Sequence, residues 1–356
     1  MGLFIGTTLI LTENGCISVE ELYTLWSNSL EFYVIVNGKK HKCLNIERCG
    51  KNQVVNVLFR NGMEVPVHSE QKFLNTQGQY ISLASISTMR NNKNYSVLLN
   101  QSDSFVWNNS RGNYDEGYII ALMNHNSNSY TKNGDPMMNL QLRISNDILN
   151  HKYYYSYKMI TDYFNDNQFS IEIYKHMMCS EWTIYRFKSK YFKTLLCSIN
   201  CRCVYDIVLF EKCSYDFIQG YLRGVFDIGA QLCMDKDPSK CMIKLIDKRK
   251  DYVQSIQRML LNMGIPSKTT SNKLIIKGKS DIMRYNFIIG FGVEDKSRDS
   301  CRNMSSYFKG TIKDSWYRHH YWSYIYDVIE CRQQQETYKI VIEGETIAIN
   351  GILVKS

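Results

Sequence analysis

An internal repeat constrains this chain more than any other feature. "GYIIALMNHNS" (residues 117–127) aligns without a gap on "GYLRGVFDIGA" (residues 220–230). Each copy opens on Gly-Tyr and carries a second small residue four places on, Ala121 in one and Gly224 in the other. Residues four apart share a helix face, and small side chains there let two helices approach backbone to backbone. The repeat therefore predicts two helices packed through Gly117/Ala121 and Gly220/Gly224. Each would head one half of a pseudo-symmetric region, about 110–212 and 213–330. Two unrelated core helices are the alternative reading of the same spacing.

The flanks have a different texture. "TTLILTENG", "EFYVIVNGKK", "VVNVLFRNG" and "QYISLAS" are short apolar runs broken by turns, with Asn14-Gly15, Asn37-Gly38 and Asn61-Gly62 as hairpin signals. The closing stretch "TYKIVIEGETIAINGILVKS" repeats that character. Together they predict an all-β domain in two pieces, 1–104 and 331–356, around an α/β insert at 105–330. The polar, turn-rich "NNKNYSVLLNQSDSFVWNNSRGN" is the expected entry linker. Inside the insert, Val253, Ile256, Leu260 and Met263 recur at helical spacing, Gly264 suits a C-terminal cap, and Pro266 stops continuation. The flanking "KCMIKLI" and "KLIIKG" read as strands.

A length of 356 residues suits two domains, and 44% hydrophobic with 22% charged residues is a globular composition. No run approaches the roughly 18 apolar residues of a membrane span, so no membrane partner is expected. The start lacks the basic flank of a secretory signal, and Gly6 stands where a myristoylation signal needs Ser or Thr. A nuclear or cytoplasmic location is expected. The 12 cysteines are scattered, as reduced thiols are, and the tightest cluster, Cys197, Cys201, Cys203 and Cys213, has no familiar zinc spacing. The net charge of +9 favours a polyanionic partner, and most of it is local. Residues 236–284 carry 12 basic and 4 acidic side chains, a local +8.

Within the second copy, "LRGVFDIGA" resembles the LAGLIDADG motif, apolar-x-Gly-apolar-apolar-Asp-x-acid-Gly, except at its end. Downstream of it, "KCMIKLIDKRKDYVQSIQRMLLNMGIPSK", "KLIIKG" and "YNFIIGFGVEDKS" resemble the strand, helix, strand and helix of LAGLIDADG (DOD-type) homing endonucleases. The β segments resemble the Hint domain of inteins. "GTTLILTENGCISVEEL" is similar to the first intein block, "VHSEQKFLNTQGQYISLASI" to the second, and the closing stretch to the last two. The resemblance covers nearly the whole chain. It implies an intein-derived homing endonuclease: a monomer that binds double-stranded DNA site-specifically and, if active, cuts it with Mg2+.

The same resemblance locates departures from that chemistry. Splicing needs a Cys or Ser nucleophile at the first residue, an assisting His, and a terminal Asn that cyclises. The matching positions hold Met1, or Leu3 in a gapless alignment; Gln71; Lys339 for the block Asp; and Lys355-Ser356 for the terminal His-Asn. His68, three places before Gln71, is a candidate substitute or a structural histidine. The nuclease centre departs in the same way. In the family, an acid at the end of each motif helix holds divalent metal over the scissile phosphates, because hard cations want anionic oxygen. Here those positions are Asn126 and Gly229.

Asp227 remains, but two residues earlier on a helix it points roughly 200° away from Gly229, which suits a structural acid. Asp115 and Glu116 suit the first helix's positive N-terminus. Lys268 matches the family's basic residue near the cleavage centre by segment. Lys244, Lys273, Lys277 and Lys279 fall on segments that the resemblance lays along the major groove, the alternative for each being a solvated surface charge. "KDSWYRHHYWSYIYDV", with Arg318, His319 and His320 among aromatics, suits packing or base stacking. The sequence leaves three readings: an endonuclease using displaced acids, a DNA-binding protein without catalysis, and a splicing element lacking its nucleophile.

Overall fold

A computed structural model of the chain describes residues 2–87, 96–101, 106–107, 109–132, 135–145, 154–179, 182–201, 206–233, 240–270, 272–292, 322–331 and 333–356. Two compact units divide the chain. Unit 1 is Met1–Asn108, Lys248–Ile275 and Ile312–Ser356; unit 2 is Asn109–Asp247 and Ile276–Thr311. The chain begins with β1 (Leu3–Ile5), β2 (Leu9–Thr12), β3 (Gly15–Ser18), α1 (Val19–Ser27), β4 (Tyr33–Val36) and β5 (Lys39–Asn52). Next come β6 (Val54–Phe59), β7 (Glu64–His68), β8 (Lys72–Leu74), β9 (Tyr80–Ser82), α2 (Leu83–Ser87) and β10 (Ser96–Leu98).

Unit 2 opens with α3 (Tyr114–Asn126), β11 (Ser127–Lys132), β12 (Asp135–Ser145), α4 (Tyr154–Asp166), β13 (Glu172–Cys179) and β14 (Trp182–Ser189). It continues through α5 (Tyr191–Ser198), α6 (Ile207–Phe210), α7 (Tyr215–Gly229), β15 (Ala230–Cys233) and β16 (Met242–Ile246). Along the chain there follow α8 (Lys250–Asn262), β17 (Lys268–Thr270) and most of β18 (Lys273–Lys277), which fall in unit 1, and α9 (Lys279–Ile288), which falls in unit 2. The last strands are β19 (Trp322–Glu330), β20 (Gln335–Ile342), β21 (Thr346–Ile349) and β22 (Ile352–Lys355).

Unit 1 holds three antiparallel sheets, ordered β1-β20-β5-β4-β2-β3, β10-β19-β6-β7 and β21-β22-β8-β9. Strands from the end of the sequence pair with strands from its beginning, β20 with β5, β19 with β6 and β22 with β8. That is why the apolar alternation recurs at both ends. Phe4, Val57, Val65, Phe73, Ile340 and Ile352 meet in one core. At Asn37-Gly38 both residues have positive φ, 49° and 72°, the two-residue turn whose twist suits a right-handed hairpin.

The unit joins its antiparallel sheets with the helices α1, α2 and α8, so the fold is mixed α/β. "S-V-E-E" starts α1: the Ser18 backbone N–H donates to Glu21 Oε2 at 3.1 Å, one arm of a capping box. Leu83 to Ser85, expected as the tail of a strand, open the short helix α2 instead. Two borders also differ from the 105–330 insert. Unit 1 has resumed by β19, which begins at Trp322, and Lys248–Ile275, with α8 and most of the β17–β18 hairpin, clusters with unit 1. Leu261 explains the second difference, since it packs into the β core.

Unit 2 shows the repeat. Each long helix runs directly into an antiparallel hairpin, α3 into β11–β12 and α7 into β15–β16. In the first half the sheet is ordered β11-β12-β14-β13, with α4 and α5 beside it in sequence.

Candidate functional site

The helix pair is packed as the repeat predicts. A Cβ on Gly224 would lie 2.7 Å from Ala121 Cβ and 2.9 Å from the Tyr118 carbonyl oxygen. At Gly117 a Cβ would strike the Phe217 carbonyl, and at Gly220 the Tyr114 carbonyl. Close approach thus requires these small residues. Both starts are capped. Asn113 Oδ1 accepts from the Glu116 backbone N–H at 3.0 Å while Glu116 Oε2 accepts from the Asn113 N–H at 3.0 Å, a reciprocal capping box. Ser214 Oγ accepts from the Phe217 N–H at 3.0 Å and donates to the Gly112 carbonyl at 2.6 Å. Glu116 therefore serves its helix start, and Asp115 has its carboxyl raised by burial and then by Asp166 and Asp162.

Asp227 is 0% exposed. The Gly292 N–H donates to both its oxygens, at 2.9 and 3.1 Å, and Tyr118 Oη donates to Oδ2 at 2.9 Å. Tyr118 Oη also meets Ser156 Oγ at 2.9 Å, so the acid ties α3, α4 and α7 to the segment after α9. Burial, and then the charge of Asp227, push the Tyr118 hydroxyl well above its ordinary range, so it stays protonated as a donor. Beside this network, Arg223 donates to Tyr114 Oη at 2.9 Å and to the Phe291 carbonyl at 3.1 Å. Sequence reasoning missed Gly292, Ser156 and Arg223; no spacing links residues so far apart.

Gly229 ends α7, and Asn126 ends α3. A Cβ on Gly229 would sit 2.9 Å from Leu245 Cδ1 and 3.9 Å from His125 Cε1, so the end of α7 lies beside the last turn of α3. His125 is a titratable side chain that the motif comparison passed over. The residues present do not fit a magnesium-holding carboxylate pair: Gly229 offers no ligand and Asp227 is engaged elsewhere. Among the described residues no group of three or more His, Cys, Asp or Glu side chains is placed to hold a metal ion. Cys201 and Cys213 are buried, with the Cys213 thiol pushed up to about 12 by burial, and Cys197 is exposed; Cys203 lies outside the described residues.

Three of the candidate lysines, Lys268, Lys273 and Lys277, are exposed. In the β17–β18 hairpin, Lys268 pairs with Ile275, Thr269 with Leu274 and Thr270 with Lys273. Thr269 and Leu274 are buried, whereas Lys268, Thr270, Lys273 and Lys277 are exposed, so alternation gathers the cations on one face. Lys244 on β16 is half-buried, opposite Gln231. Lys279 is the first residue of α9. None of Lys244, Lys268, Lys273 and Lys277 has an ion-pair partner among the described residues, unlike Lys250, which meets Glu64 at 2.7 Å. Lys268 belongs to unit 1 and the motif helices to unit 2. Arg318, His319 and His320 lie outside the described residues.

The splice-like positions of unit 1 come together. Gln71, 1% exposed, donates from Nε2 to the Lys355 carbonyl at 2.9 Å and to the Lys72 carbonyl at 3.3 Å. Its Oε1 has no hydrogen-bond partner among the described residues, and a Cβ on Gly2 would come within 3.2 Å of it. Leu3 pairs with Lys339, and the Ser356 N–H donates to the Glu345 carbonyl at 2.9 Å. His68 is occupied locally, its Nδ1 accepting from the Glu70 N–H at 3.2 Å. Met1 lies outside the described residues.

No family model and no curated protein matches the sequence. Among solved structures, the chain is similar to I-DmoI in complex with DNA and Mn: 13% identity over 49% of this chain and 96% of that one, with a TM-score of 0.35. It is similar to the N-terminal LAGLIDADG domain of DUF199/WhiA at 12% identity, over 54% of this chain and 89% of that one, TM-score 0.35. Full-length DUF199/WhiA from Thermatoga maritima is similar at 14% identity, over 58% and 64%, TM-score 0.34. At such distances these likenesses assign no family.

Proposed function

We propose that the chain is a duplex-DNA-binding protein of LAGLIDADG homing-endonuclease type on an intein-like β unit, and that it no longer cuts by the family's metal-held carboxylates. In this reading the motifs and their order resemble those of the intein-derived mating-type switching endonuclease of yeasts, without a counterpart of that enzyme's cysteine-rich tail. The observation that carries the reading is the cationic face of the β17–β18 hairpin, where exposed Lys268, Lys273 and Lys277 have no ion-pair partner among the described residues. Lysines without carboxylate partners are available to phosphates, which give salt-dependent affinity without sequence information. The glycine-lined helix pair and its two hairpins support the same reading.

Titration of labelled random-sequence duplexes against salt tests it. Binding that weakens steeply with salt is expected, and replacing Lys244, Lys273 and Lys277 by Ala should lower the slope by about 0.9 for each phosphate no longer neutralised. Retained affinity in that triple variant would move the DNA surface elsewhere. With Mg2+ or Mn2+ present we expect no double-strand cleavage, and Asn126→Asp with Gly229→Asp should raise it. Cutting by the unmodified protein, abolished by Asp115→Asn, would favour an endonuclease with displaced acids. Splicing lacks its groups at the matched positions, which hold Met1, or Leu3 in a gapless alignment, then Gln71, Lys339 and Lys355-Ser356.

A further inference from the structure

The Asn61-Gly62 turn between β6 and β7 is covered by an element from some two hundred residues later. The Asn61 carbonyl accepts from the Thr269 N–H at 2.7 Å, from Gln257 Nε2 at 2.9 Å and from Thr269 Oγ1 at 3.3 Å. Gln257, on α8 and 1% exposed, also donates from Nε2 to the Ser267 carbonyl at 2.9 Å and accepts at Oε1 from Thr269 Oγ1 at 3.2 Å. Its amide thus joins the turn to both ends of the approach to β17. Gly62 has φ +85°, and a Cβ there would lie 2.8 Å from the Thr269 carbonyl carbon, so the approach requires glycine on two counts.

β17 is the edge strand of its four-stranded sheet, paired with β18 at three positions among the described residues. Its Thr269 is held from below, and by strand alternation the neighbours Lys268 and Thr270 point the other way. We propose that the Asn61-Gly62 turn and Gln257 are positioning residues for DNA contact, fixing β17 so that Lys268, Thr270 and Lys273 meet a duplex backbone as one preset surface. The β unit is then part of the DNA-binding apparatus. This rests on the DNA-binding reading above.

Gln257→Glu in the full chain is the discriminating variant. The introduced carboxylate would face the Asn61 and Ser267 carbonyls with no proton to donate; as a buried acid with a raised pKa it regains one donor on acidification. Relative to wild type, duplex affinity should fall about tenfold near pH 8, with a salt slope reduced by about 0.9 per phosphate no longer neutralised, and recover near pH 5. Hydrogen exchange should quicken at residues 268–277 while β5 and β20 keep their protection. Thr269→Val, which removes the hydroxyl at nearly constant shape, should give a smaller loss without the pH recovery, and it replaces Gln257→Glu if that variant does not fold. Faster hairpin exchange with wild-type affinity and slope would overturn the coupling to DNA, and unchanged exchange in both variants would overturn the clamp itself. If the wild type binds no duplex at any salt, the parent reading falls and this one with it, whereas the exchange data still report separately on the clamp.

Discussion

Helices α3 and α7 start alike and finish differently. Each is capped by a side-chain oxygen, Asn113 for one and Ser214 for the other, and each presents glycine-class residues to its partner at matching positions. The gapless alignment then sets Asn124 against Asp227 and Asn126 against Gly229. Only α7 carries a buried carboxylate, and its donors come from elsewhere in the unit, Tyr118 on α3 and the Gly292 N–H beyond α9. Positions whose task is contact are repeated, because close approach makes the same demand on both helices. Positions whose task is charge are not, because one buried acid needs a particular set of donors that a second copy would have to duplicate.

Removing that acid is the strongest way to break the comparison. Asp227→Leu leaves the Tyr118 hydroxyl and the Gly292 N–H without this acceptor and should cost about 3–5 kcal/mol, read from urea unfolding of the full chain. Asp227→Asn, which keeps one acceptor oxygen, should cost less. A loss below ~1 kcal/mol for the Leu variant would mean that the carboxylate is not structural.

A second contrast sits in the same unit. Asp281, in the first turn of α9, is 6% exposed, and burial pushes its carboxyl up to about 7 although Arg284 opposes the shift. Where Asp227 is held by three donated hydrogen bonds, Asp281 meets mainly desolvation. A folded-state value above the unfolded one means a contribution that is full below about pH 4 and lost as pH rises through about 7. Asp281→Asn should therefore be more stable than wild type by roughly 2–4 kcal/mol near pH 8, with the difference closing near pH 4. Parallel denaturation series across that range check it, and a pH-independent difference would sink the assignment.

Gly224→Leu should overpack the interface at Ala121 Cβ and the Tyr118 carbonyl, costing about 1–3 kcal/mol. Ala121→Leu, from the other side of the same contact, should cost a similar amount if the pair is symmetric in packing. A neutral result at either position would break that symmetry.

The helix pair was legible in advance because it depends on residue size at a fixed spacing, and eleven aligned residues carry that signal. The β framework was legible for a related reason: Asn-Gly turns and period-2 alternation are local. The place of residues 248–275 was not, since it depends on Leu261 entering the β core and on Gln257 reaching Asn61. Those contacts span about two hundred positions and leave no periodic trace. The capping box at Asn113 and Glu116 was readable as N-x-x-E, yet the pair Asp115-Glu116 stands out first for its charge. The departures at Asn126 and Gly229 were visible because the motif fixes what should stand there, whereas His125 beside Gly229 belongs to no motif and needed coordinates.

The smallest expected effect tests whether the two starts are as equivalent as they look. Ser214→Ala removes the acceptor for the Phe217 N–H and the donor to the Gly112 carbonyl; Asn113→Ala removes one arm of the box and leaves Glu116 to the Asn113 N–H and to Tyr163, whose hydroxyl donates to it at 3.2 Å. Each loss of a cap costs about 1 kcal/mol. Ser214 should be the more costly of the two, because its second bond crosses to the segment leading into α3 and so joins the two helix starts. Thermal unfolding of both single variants and of the double variant checks this. Additive losses would make the caps independent. A double loss smaller than the sum would mean that the Ser214–Gly112 bond already carries part of what Asn113 does, and the two starts would then be one structural element with unequal halves.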